Sequence, residues 1–430
     1  MKKTIVFVLM LTLILGFGFA AGGSEKTTEE PNVLKIFVPQ SPGIPEGVGA
    51  LAKVFMEQNP GKTVTIRTVP FAKYKEQLTV MWSSNEVDDI VTFATCETAS
   101  HVINGCLLPL DSILPPEEKA KFIPAVIEAA TYDGQIYSYP FRESCSAMYY
   151  NKKYFEMAGI EPATFENPWT WPEWRENMLK IREVVARETG KTPWGLTYLS
   201  NPGSGDFWVT PIIRSNGEKG SNTYQAISDD GRTLQGYADT PEAMEAYRFY
   251  QDLFMKDKLA PNAEVPDAFA TGQAITMVSF MATANLFNTS FPELEWGVMP
   301  LPYFKTPITH TSGFAYSISA KTKCPELAKA FVEFAGSEEG IQIYFETSGP
   351  DLLSRIGFEQ SHPEYYQEDY QQFFVKNLQA YGEARPKTPA YTIYNAVIGF
   401  DLFEDLAKGA NVEKTVADKI KIFENQARNL

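Results

Sequence analysis

The stretch VLKIFVPQSPGIPEGVGALAKVFMEQNPGKTVTIRTV (Val33–Val69) decides the fold class. Its first apolar run, Val33–Val38, predicts a buried strand. Apolar residues then recur at helical spacing from Val48 to Phe55, and Asn59-Pro60-Gly61 is a signal that ends a helix. The β-branched run Thr63–Val69 predicts a second strand. A strand, a helix and a strand at this spacing are typical of a parallel sheet covered by helices.

The same alternation continues along the chain. A helical pattern at Tyr74–Met81 precedes a strand pattern at Asp89–Phe93 and a short helix that ends near Gly105. Thr170-Trp171-Pro172-Glu173 is a capping box, and Thr240-Pro241 starts another helix. Further strands are predicted at Trp194–Tyr198, Ala274–Ser279, Trp296–Met299 and Phe314–Ile318, and helices from Pro325 onwards. We therefore expect an α/β protein with two doubly wound sheets and a helical C-terminal tail.

Size and charge limit the function classes. A chain of 430 residues exceeds what one hydrophobic core usually fills, so two domains are expected. With 44% hydrophobic and 21% charged residues, the composition is that of a globular protein rather than a disordered chain or a membrane bundle. The net charge of −15 argues against a nucleic acid or an anionic membrane as partner, because no basic segment balances phosphate.

The N-terminus predicts export. Lys2-Lys3 precede the apolar run Ile5–Leu15, and Gly18-Phe19-Ala20 follows, which predicts a Sec-type signal peptide over residues 1–20. The alternative is a membrane anchor, but the apolar run is shorter than the ~20 residues that a spanning helix needs. The first cysteine is Cys96, so we expect no lipid attachment at the cleavage site. Residues 21–32 predict a flexible leader, and the mature protein is expected in the periplasm.

Cysteine and histidine predict no metal site and no cofactor. The four cysteines (Cys96, Cys106, Cys145 and Cys324) are too few for a disulfide scaffold and contain no CxxC motif. A bridge between Cys96 and Cys145 and four free thiols both stay open. The three histidines form no paired-ligand spacing.

Eight motifs occur in a familiar order: FMEQNPGKTVTIRTVPFAKYKEQL, DDIVTFATCETASHVINGCLLPLD, QIYSYPFRESCSAMYYNKKYFEMAGI, TWPEW, FATGQAITM, WGVMPLP, SGFAYSISAKTKCPELAKAFVEFAGSEEG and TSGPDLL. In this order they resemble bacterial extracellular solute-binding proteins, in the carbohydrate-binding group that includes the maltose binders. The resemblance covers essentially the whole mature chain. It implies a type II-like periplasmic-binding-protein fold with two lobes, a sugar or polyol held between them by hinge closure, and delivery to the membrane permease of an ABC importer. The protein is expected to be a monomer.

The resemblance also implies how the chain is divided. Residues 33–143 and 301–345 are expected in the N-terminal lobe, and residues 144–300 and 346–430 in the C-terminal lobe. The stretch YSYPFRESCSAMYYNKKYF (Tyr137–Phe155) is then the first crossing between the lobes. His310 is expected at the surface or the hinge rather than at the ligand.

Sugars are bound by flat apolar rings that meet their C–H faces and by planar polar groups that meet their hydroxyls. The family order implies ligand contacts on both sides of the cleft, at Gln40, Ser41, Thr95, Glu97, Arg142, Glu143, Ser144, Asp206, Phe207, Trp208, Phe280, Ser312, Gly313, Arg385, Tyr391 and Tyr394. One departure from the family pattern is that Ala282 stands where the maltose binders place a stacking tryptophan. A maltose assignment is therefore not made.

Three alternatives to a neutral sugar or polyol remain at this point. Arg142, Arg214 and Arg385 could pair with an anionic ligand such as a glycerophosphate, a glycerophosphodiester or a uronide. A secreted glycosidase would use two carboxylates such as Glu97 and Glu143. A hydrolase built on Cys145 would need a histidine partner, and no recognisable motif supplies one. We therefore expect a binding protein without catalytic residues.

Overall fold

The computed structural model describes residues 32–199, 205–311, 313–349 and 351–430. The predicted signal peptide, almost all of the predicted leader, and Ser312 lie outside the described residues. Within the described ranges, no helix combines the length and the apolar character needed to cross a membrane.

Two β-sheets organise the chain. The strands are β1 (Val33–Gln40), β2 (Thr63–Pro70), β3 (Ile90–Ala94), β4 (Thr131–Tyr132), β5 (Gln135–Ile136), β6 (Tyr139–Glu143), β7 (Ala147–Asn151), β8 (Trp194–Leu196), β9 (Ala274–Ser279), β10 (Trp296–Met299), β11 (Thr309–His310), β12 (Phe314–Ile318), β13 (Leu352–Leu353) and β14 (Gly382–Glu383). One sheet has six strands in the order β13-β6-β12-β3-β1-β2, and the other has four in the order β10-β7-β9-β8. We call the regions around these sheets the first lobe and the second lobe.

Helices surround both sheets. They are α1 (Ile44–Gln58), α2 (Phe71–Ser84), α3 (Thr98–Ile103), α4 (Pro116–Lys119), α5 (Pro124–Ala129), α6 (Lys152–Ala158), α7 (Trp171–Thr189), α8 (Gly205–Arg214), α9 (Asn222–Gln225), α10 (Pro241–Met255), α11 (Thr283–Ser290), α12 (Pro325–Gly336), α13 (Glu338–Ser348), α14 (Phe358–Ser361), α15 (Asp369–Tyr381), α16 (Tyr391–Tyr394), α17 (Leu402–Ala407) and α18 (Val412–Ala427). A 3₁₀ turn occupies Thr95–Glu97, and a π-helix occupies Asn395–Asp401. The expected α/β class with a helical C-terminal region is confirmed.

The first sheet is mixed. Strand β1 runs parallel to β2 and β3, as the sequence predicts, but β12 is antiparallel to β3 and β6. The reversal arises because the chain enters β12 from the second lobe rather than from a helix of its own lobe. The domain boundaries stay a prediction, and β13 pairs with β6 in this sheet although it follows the boundary expected at residue 346.

Local signals in the sequence explain the main helices. The apolar face of α1 is buried at Val48, Leu51 and Phe55. Helix α7 begins with the predicted capping box, in which the Thr170 backbone N–H donates to Glu173 (2.7 Å) and the Glu173 backbone N–H donates to Thr170 (3.3 Å). Each lobe has its own apolar core, which includes Phe55 and Phe331 in the first lobe and Trp174 and Tyr250 in the second.

Three chain segments lie side by side at the hinge. The first runs from β6 to β7 and thus from the six-stranded to the four-stranded sheet, and within it Cys145 forms a β-bridge with Thr311. The second is β11, whose Thr309 hydroxyl accepts a hydrogen bond from the Ser146 backbone N–H at 3.0 Å. The third is β14, which pairs in parallel with β11. The lobes are therefore joined by hydrogen-bonded extended backbone.

Gly313 has no room for a side chain. A Cβ atom on this residue would lie 2.0 Å from Glu143 Oε1 and 2.1 Å from the Arg142 carbonyl oxygen. Its own carbonyl oxygen accepts a hydrogen bond from the Thr95 backbone N–H at 3.1 Å. Because Gly313 has no side chain, the start of β12 can pack directly on the first crossing. Any larger residue at this position would clash with that crossing.

Two polar groups fix the hinge further. Arg142 forms an ion pair with Asp351 and donates to the Pro42 carbonyl oxygen at 3.0 Å. Arg214 is buried and donates to the Ala384 carbonyl oxygen and to His310 Nε2, both at 2.8 Å. Because Arg214 is always a donor, His310 must accept through Nε2 and is neutral. His310 is thus a buried residue at the hinge. The hinge is one of the two locations that the sequence suggests, the other being the surface.

The four cysteines, Cys96, Cys106, Cys145 and Cys324, are free thiols. The bridge between Cys96 and Cys145, which the sequence left open, is therefore not formed in this structure.

Stability should fall in weak acid because of buried histidines. Burial, together with Arg214 and Arg385, lowers the pKa of His310 well below 6.5, and burial also lowers the pKa of His101. Between 6.5 and these lower values, the unfolded chain binds protons that the folded chain does not. At pH 5.5 His310 should therefore reduce the free energy of unfolding by about 1.4 kcal/mol relative to pH 7.5, and His101 should reduce it further.

Urea unfolding of the wild type and of His310→Gln at both pH values measures this effect. The variant should lose about 1.4 kcal/mol less stability than the wild type between pH 7.5 and 5.5, since the titration of His310 is gone. An equal loss in the two proteins would contradict a neutral, buried His310.

Replacement of Gly313 by alanine should destabilise the hinge. The added Cβ must displace Glu143 or the Arg142 backbone, and such overpacking costs about 1–3 kcal/mol. Gly49 is a matched control because it lies in α1 with no atom within 4 Å of an added Cβ. Gly49→Ala should stabilise the protein by about 0.5–1 kcal/mol through the helix propensity of alanine. Denaturant unfolding that shows equal effects for both variants would refute the packing argument.

Candidate ligand-binding site

The candidate site begins where strands of the first sheet end. Strands β1, β3 and β6 run in the same direction, so their carboxyl ends share one edge of the sheet. Gln40 ends β1, Thr95 follows β3, and Ser144 follows β6. This edge is where open α/β sheets bind ligands. It also borders the hinge, since Ser144 belongs to the first crossing.

The turn after β3 places a carboxylate at this edge. Glu97 is only 8% exposed, and its Oε1 lies 2.8 Å from Lys75 Nζ of helix α2. Thr95 is buried at the start of the same turn. Cys96 between them is half-buried, and burial raises the pKa of its thiol to about 11. The turn thus presents an ion-paired carboxylate and a neutral thiol.

The second lobe contributes a buried ion pair. Arg385 Nη1 donates to Asp206 Oδ1 at 3.1 Å and also to the Tyr391 hydroxyl. The Tyr391 hydroxyl in turn donates to Asp206 Oδ1 at 3.1 Å. Burial raises the pKa of Tyr391 well above 10, so it stays a neutral donor. Asp206 Oδ2 has no hydrogen-bond partner among the described residues.

Close backbone packing positions Asp206. At the start of α8, a Cβ on Gly205 would lie 2.1 Å from the Gly399 carbonyl oxygen, and a Cβ on Gly399 would lie 2.5 Å from the Asp206 nitrogen. Gly399 belongs to the π-helix, whose Asn395 side chain accepts a hydrogen bond from the Asp206 backbone N–H at 3.3 Å. Two glycines are therefore needed to bring this carboxylate to Arg385.

Aromatic rings lie beside the ion pair. Phe207 packs edge-on against Trp208, with ring centroids 4.6 Å apart, and faces the Arg385 guanidinium at 4.9 Å. Trp208 also stacks on Phe280, with centroids 5.9 Å apart and an angle of 28° between the ring planes. Phe280 is 38% exposed. Trp208 and Phe280 thus form a broad apolar surface next to polar groups.

Contacts between the lobes close one side of the cleft. The Ser100 hydroxyl of α3 donates to the Pro389 carbonyl oxygen at 2.8 Å and lies 3.3 Å from the Tyr391 backbone nitrogen, which donates to it. Lys75 Nζ lies 5.6 Å from the centre of the Tyr391 ring. The first-lobe turn at Glu97 and the second-lobe ion pair are therefore adjacent in space.

The other predicted residues have different surroundings. Gln40 is exposed, with its amide 3.4 Å from the Thr68 hydroxyl, and Ser41 is half-buried in the loop after β1. Arg142 is paired with Asp351 as described, and Glu143 is buried against Gly313. The structure thus groups Asp206, Phe207, Trp208, Phe280, Arg385, Tyr391, Thr95 and Glu97 around the cleft, while Arg142, Glu143, Ser144 and Gly313 lie at the hinge.

Tyr394 lies elsewhere. It is buried in the apolar core of the second lobe, with its ring edge on Phe423 at 5.8 Å. Its spacing of three residues from Tyr391 places the two rings in one helical turn, yet only Tyr391 contacts the ion pair. Sequence order alone could not separate these two tyrosines.

Lys75 and Ser100 are two cleft residues that sequence reasoning missed. Lys75 is part of an ordinary polar helix face, and Ser100 is a single hydroxyl in a short helix. Neither has a distinctive motif. Lys75 lies four residues after Phe71 and therefore on the same face of α2. Had the sequence indicated a ligand contact at Phe71, Lys75 would have been a candidate as well.

A second concave region and the acidic side chains offer weaker candidates for a functional site. A surface groove of about 490 Å³ on the second lobe includes Asn151, Tyr154 and Gly272. Its polar atoms serve local structure, since Asn151 caps α6 and the Tyr154 hydroxyl donates to the Gly272 carbonyl oxygen at 2.8 Å. Among the described residues, no cluster of three His, Cys, Asp or Glu side chains could hold a metal ion.

The chain is similar to known proteins in sequence and in fold. An arabinooligosaccharide-binding protein of Bacillus subtilis (strain 168) is 24% identical over 375 residues, which cover 82% of this chain and 81% of that protein. A putative binding protein of Brucella abortus (strain 2308) is 26% identical over 272 residues, and the match spans 62% of this chain and 62% of that relative's length. The cyclic α-maltosyl-1,6-maltose binding protein from Arthrobacter globiformis has a TM-score of 0.76 at 18% identity, over 93% of this chain and 99% of that chain. This likeness shows the two-lobe fold.

The model of one protein family matches residues 40–342, from the end of β1 to helix α13. The matched range includes the turn after β3, the first crossing and the start of α8, and it ends before Arg385 and Tyr391. It covers well over half of the chain. The chain therefore belongs to the bacterial extracellular solute-binding protein family.

Proposed function

We propose that this protein is the extracytoplasmic substrate-binding component of an ABC importer, and that it captures a neutral saccharide or polyol between its lobes by hinge closure. The observation that carries the proposal is the Asp206–Arg385–Tyr391 cluster beside the Trp208–Phe280 surface. The names of the similar Bacillus and Arthrobacter proteins, which refer to an arabinooligosaccharide and to a cyclic maltosyl-maltose, support a saccharide.

This combination suits a sugar ring. The C–H face of a sugar is apolar and packs on an aromatic face, while its hydroxyls need charged or amide partners in a plane. Trp208 and Phe280 supply the aromatic surface, and Asp206 Oδ2 supplies an acceptor that no described residue uses. Glu97 adds a second carboxylate from the first lobe. The remaining contacts proposed from the family order are Gln40, Ser41, Thr95, Arg142, Glu143, Ser144, Phe207, Ser312, Gly313, Arg385 and Tyr391, whereas Tyr394 is not proposed because it lies in the apolar core.

The pairing of charges favours a neutral ligand. Arg385 is paired with Asp206, Lys75 with Glu97, and Arg142 with Asp351. An anionic ligand would have to draw one of these cations away from its carboxylate and leave that carboxylate desolvated. A neutral ligand leaves all three pairs intact. We therefore favour a saccharide or polyol over a glycerophosphate, a glycerophosphodiester or a uronide.

The proposal includes no covalent chemistry. Glu97, one of the two carboxylates considered for a glycosidase, is paired with Lys75, and Glu143 is packed against Gly313. Burial raises the pKa of Cys145 to about 12, so its thiol is not ionised at neutral pH. These environments favour binding over hydrolysis by either route.

Partners and location follow from the same proposal. The protein would be a monomer, would be exported by a cleaved signal peptide to the periplasm, and would deliver its ligand to membrane permease subunits. Its net charge of −15 gives no support to a nucleic-acid partner. Each lobe would be built around one of the two sheets, with residues 33–143 and 301–345 in the N-terminal lobe and 144–300 and 346–430 in the C-terminal lobe.

A thermal-shift screen tests the ligand class. Maltose, maltotriose, arabinotriose and mannitol represent neutral ligands, and glycerol 3-phosphate, glycerophosphocholine and glucuronate represent the alternatives. A neutral ligand at about 100 times its Kd should stabilise the folded protein by about 2.7 kcal/mol. The anions should produce no shift at the same concentration. A shift that only the anions or glycerophosphocholine produce would overturn the neutral assignment.

Replacement of Asp206 by asparagine tests the cluster. The variant leaves the buried Arg385 without its carboxylate, which should destabilise the protein by about 3–5 kcal/mol. Loss of the charged acceptor should also weaken the saccharide found in the screen by at least about tenfold. Isothermal titration calorimetry and urea unfolding measure the two effects separately.

Asp257→Asn is the matched control. The side chain of Asp257 is 7% exposed and pairs with Arg175 at 2.6 Å in the second lobe, but it lies after α10 and, among the described residues, its recorded partners do not include the cluster. This variant should lose stability without losing affinity. If Asp206→Asn binds the saccharide as tightly as the control does, Asp206 is not a ligand contact.

A further inference from the structure

Phe71 is an exposed aromatic residue at the edge of the cleft. It is the first residue of α2 and is 57% exposed, although large apolar side chains are usually buried. Its ring makes an edge contact with Phe314, with centroids 6.4 Å apart and an angle of 67° between the planes. Phe314 is half-buried at the start of β12. The two rings form a pair that the sequence did not indicate.

Sheet register places this pair over the ligand-binding edge. Phe71 follows Pro70, which is opposite Gln40 at the end of β1, and Phe314 is opposite Ala94 at the end of β3. In the order β12-β3-β1-β2, the contact between Phe71 and Phe314 therefore reaches across the ends of β3 and β1. The exposed amide of Gln40 lies at the same edge.

Helix α2 connects this pair to the polar cluster. Phe71 and Lys75 are four residues apart and share one helix face, about 6 Å apart along the axis. Lys75 contacts Glu97 and the Tyr391 ring, so it marks the polar cluster. Phe71 therefore lies one helical turn from the residue that contacts the polar cluster, on the same face of α2.

We propose that Phe71 and Phe314 form a second ring-binding position, next to the one at Asp206, Arg385 and Trp208, and that the natural ligand therefore has at least two sugar rings. This inference rests on the proposed saccharide-binding function. The ring of the first position packs against Trp208 and Phe280. The ring of the second position packs on the free face of Phe71, with the Gln40 amide as a hydroxyl partner. A monosaccharide occupies only the first position.

The other exposed apolar residue of the same helix provides a control. Val80 is 55% exposed, nearly as much as Phe71, but it lies nine residues further along α2. At 3.6 residues per turn, that spacing puts Val80 on the opposite side of the helix from Phe71. A general effect of apolar surface on binding or stability would appear at both residues, whereas a ring-binding role requires Phe71 alone.

Calorimetric titration with two homologous series tests the proposal: glucose, maltose and maltotriose, and arabinose, arabinobiose and arabinotriose. In a series that the wild type binds, affinity should rise about tenfold from one ring to two, which corresponds to about 1.4 kcal/mol. Phe71→Ala should remove that rise and change the one-ring affinity by less than about threefold. Phe71→Trp should retain the rise, and Val80→Ala should leave both affinities unchanged.

The outcomes separate this proposal from the function on which it rests. If the wild type binds one or both series but shows no rise from one ring to two, the second position is refuted and the saccharide-binding function stands. The same holds if Phe71→Ala keeps the rise, or if it weakens one-ring and two-ring ligands equally. If no sugar of either series binds, while glycerol 3-phosphate does, both proposals fail. The melting temperature of each variant shows whether an affinity change reflects a loss of folding.

Discussion

The structure of the cleft depends on the need to pair a buried guanidinium. Arg385 follows the hinge strand β14 and is 7% exposed, so an unpaired charge there would be strongly unfavourable. Asp206 from α8 and the Tyr391 hydroxyl from α16 meet this need. Because the three groups come from separate elements, the ion pair fixes those elements relative to one another. The close approach of Gly205 and Gly399 is the backbone condition that allows the carboxylate to reach it.

A second buried cation acts in the same way nearer the hinge. Arg214 is also buried, but its partners are the Tyr224 and Ala384 carbonyl oxygens and the neutral ring of His310. It therefore ties α8 to both β11 and the residue after β14 without using a carboxylate. Arg214 thus anchors the end of α8 to the hinge, and Arg385 pairs with the carboxylate at the start of the same helix.

The sequence predicted the elements well and their contacts poorly. The strands Ala274–Ser279, Trp296–Met299 and Phe314–Ile318 are found with the predicted bounds, because alternating apolar residues and their flanking turns are local signals. The antiparallel direction of β12 depends on where the chain re-enters the sheet, which no local pattern states.

At the candidate site, the sequence suggested single residues but not the contacts that they make with one another. Asp206, Arg385 and Tyr391 were each predicted as ligand contacts, and the structure shows that Asp206 also binds Arg385 and Tyr391 across 179 and 185 residues of chain. Contacts between the lobes also bear on ligand binding. The Ser100–Pro389 hydrogen bond and the Lys75–Tyr391 contact join the lobes through groups that need not touch a sugar. Under the proposed hinge closure, these contacts would strengthen binding by stabilising the closed form, because apparent affinity scales with the fraction of molecules in the binding-competent form. Under the same proposal, residues on α2 and α3 would contribute to the affinity for the ligand without touching it.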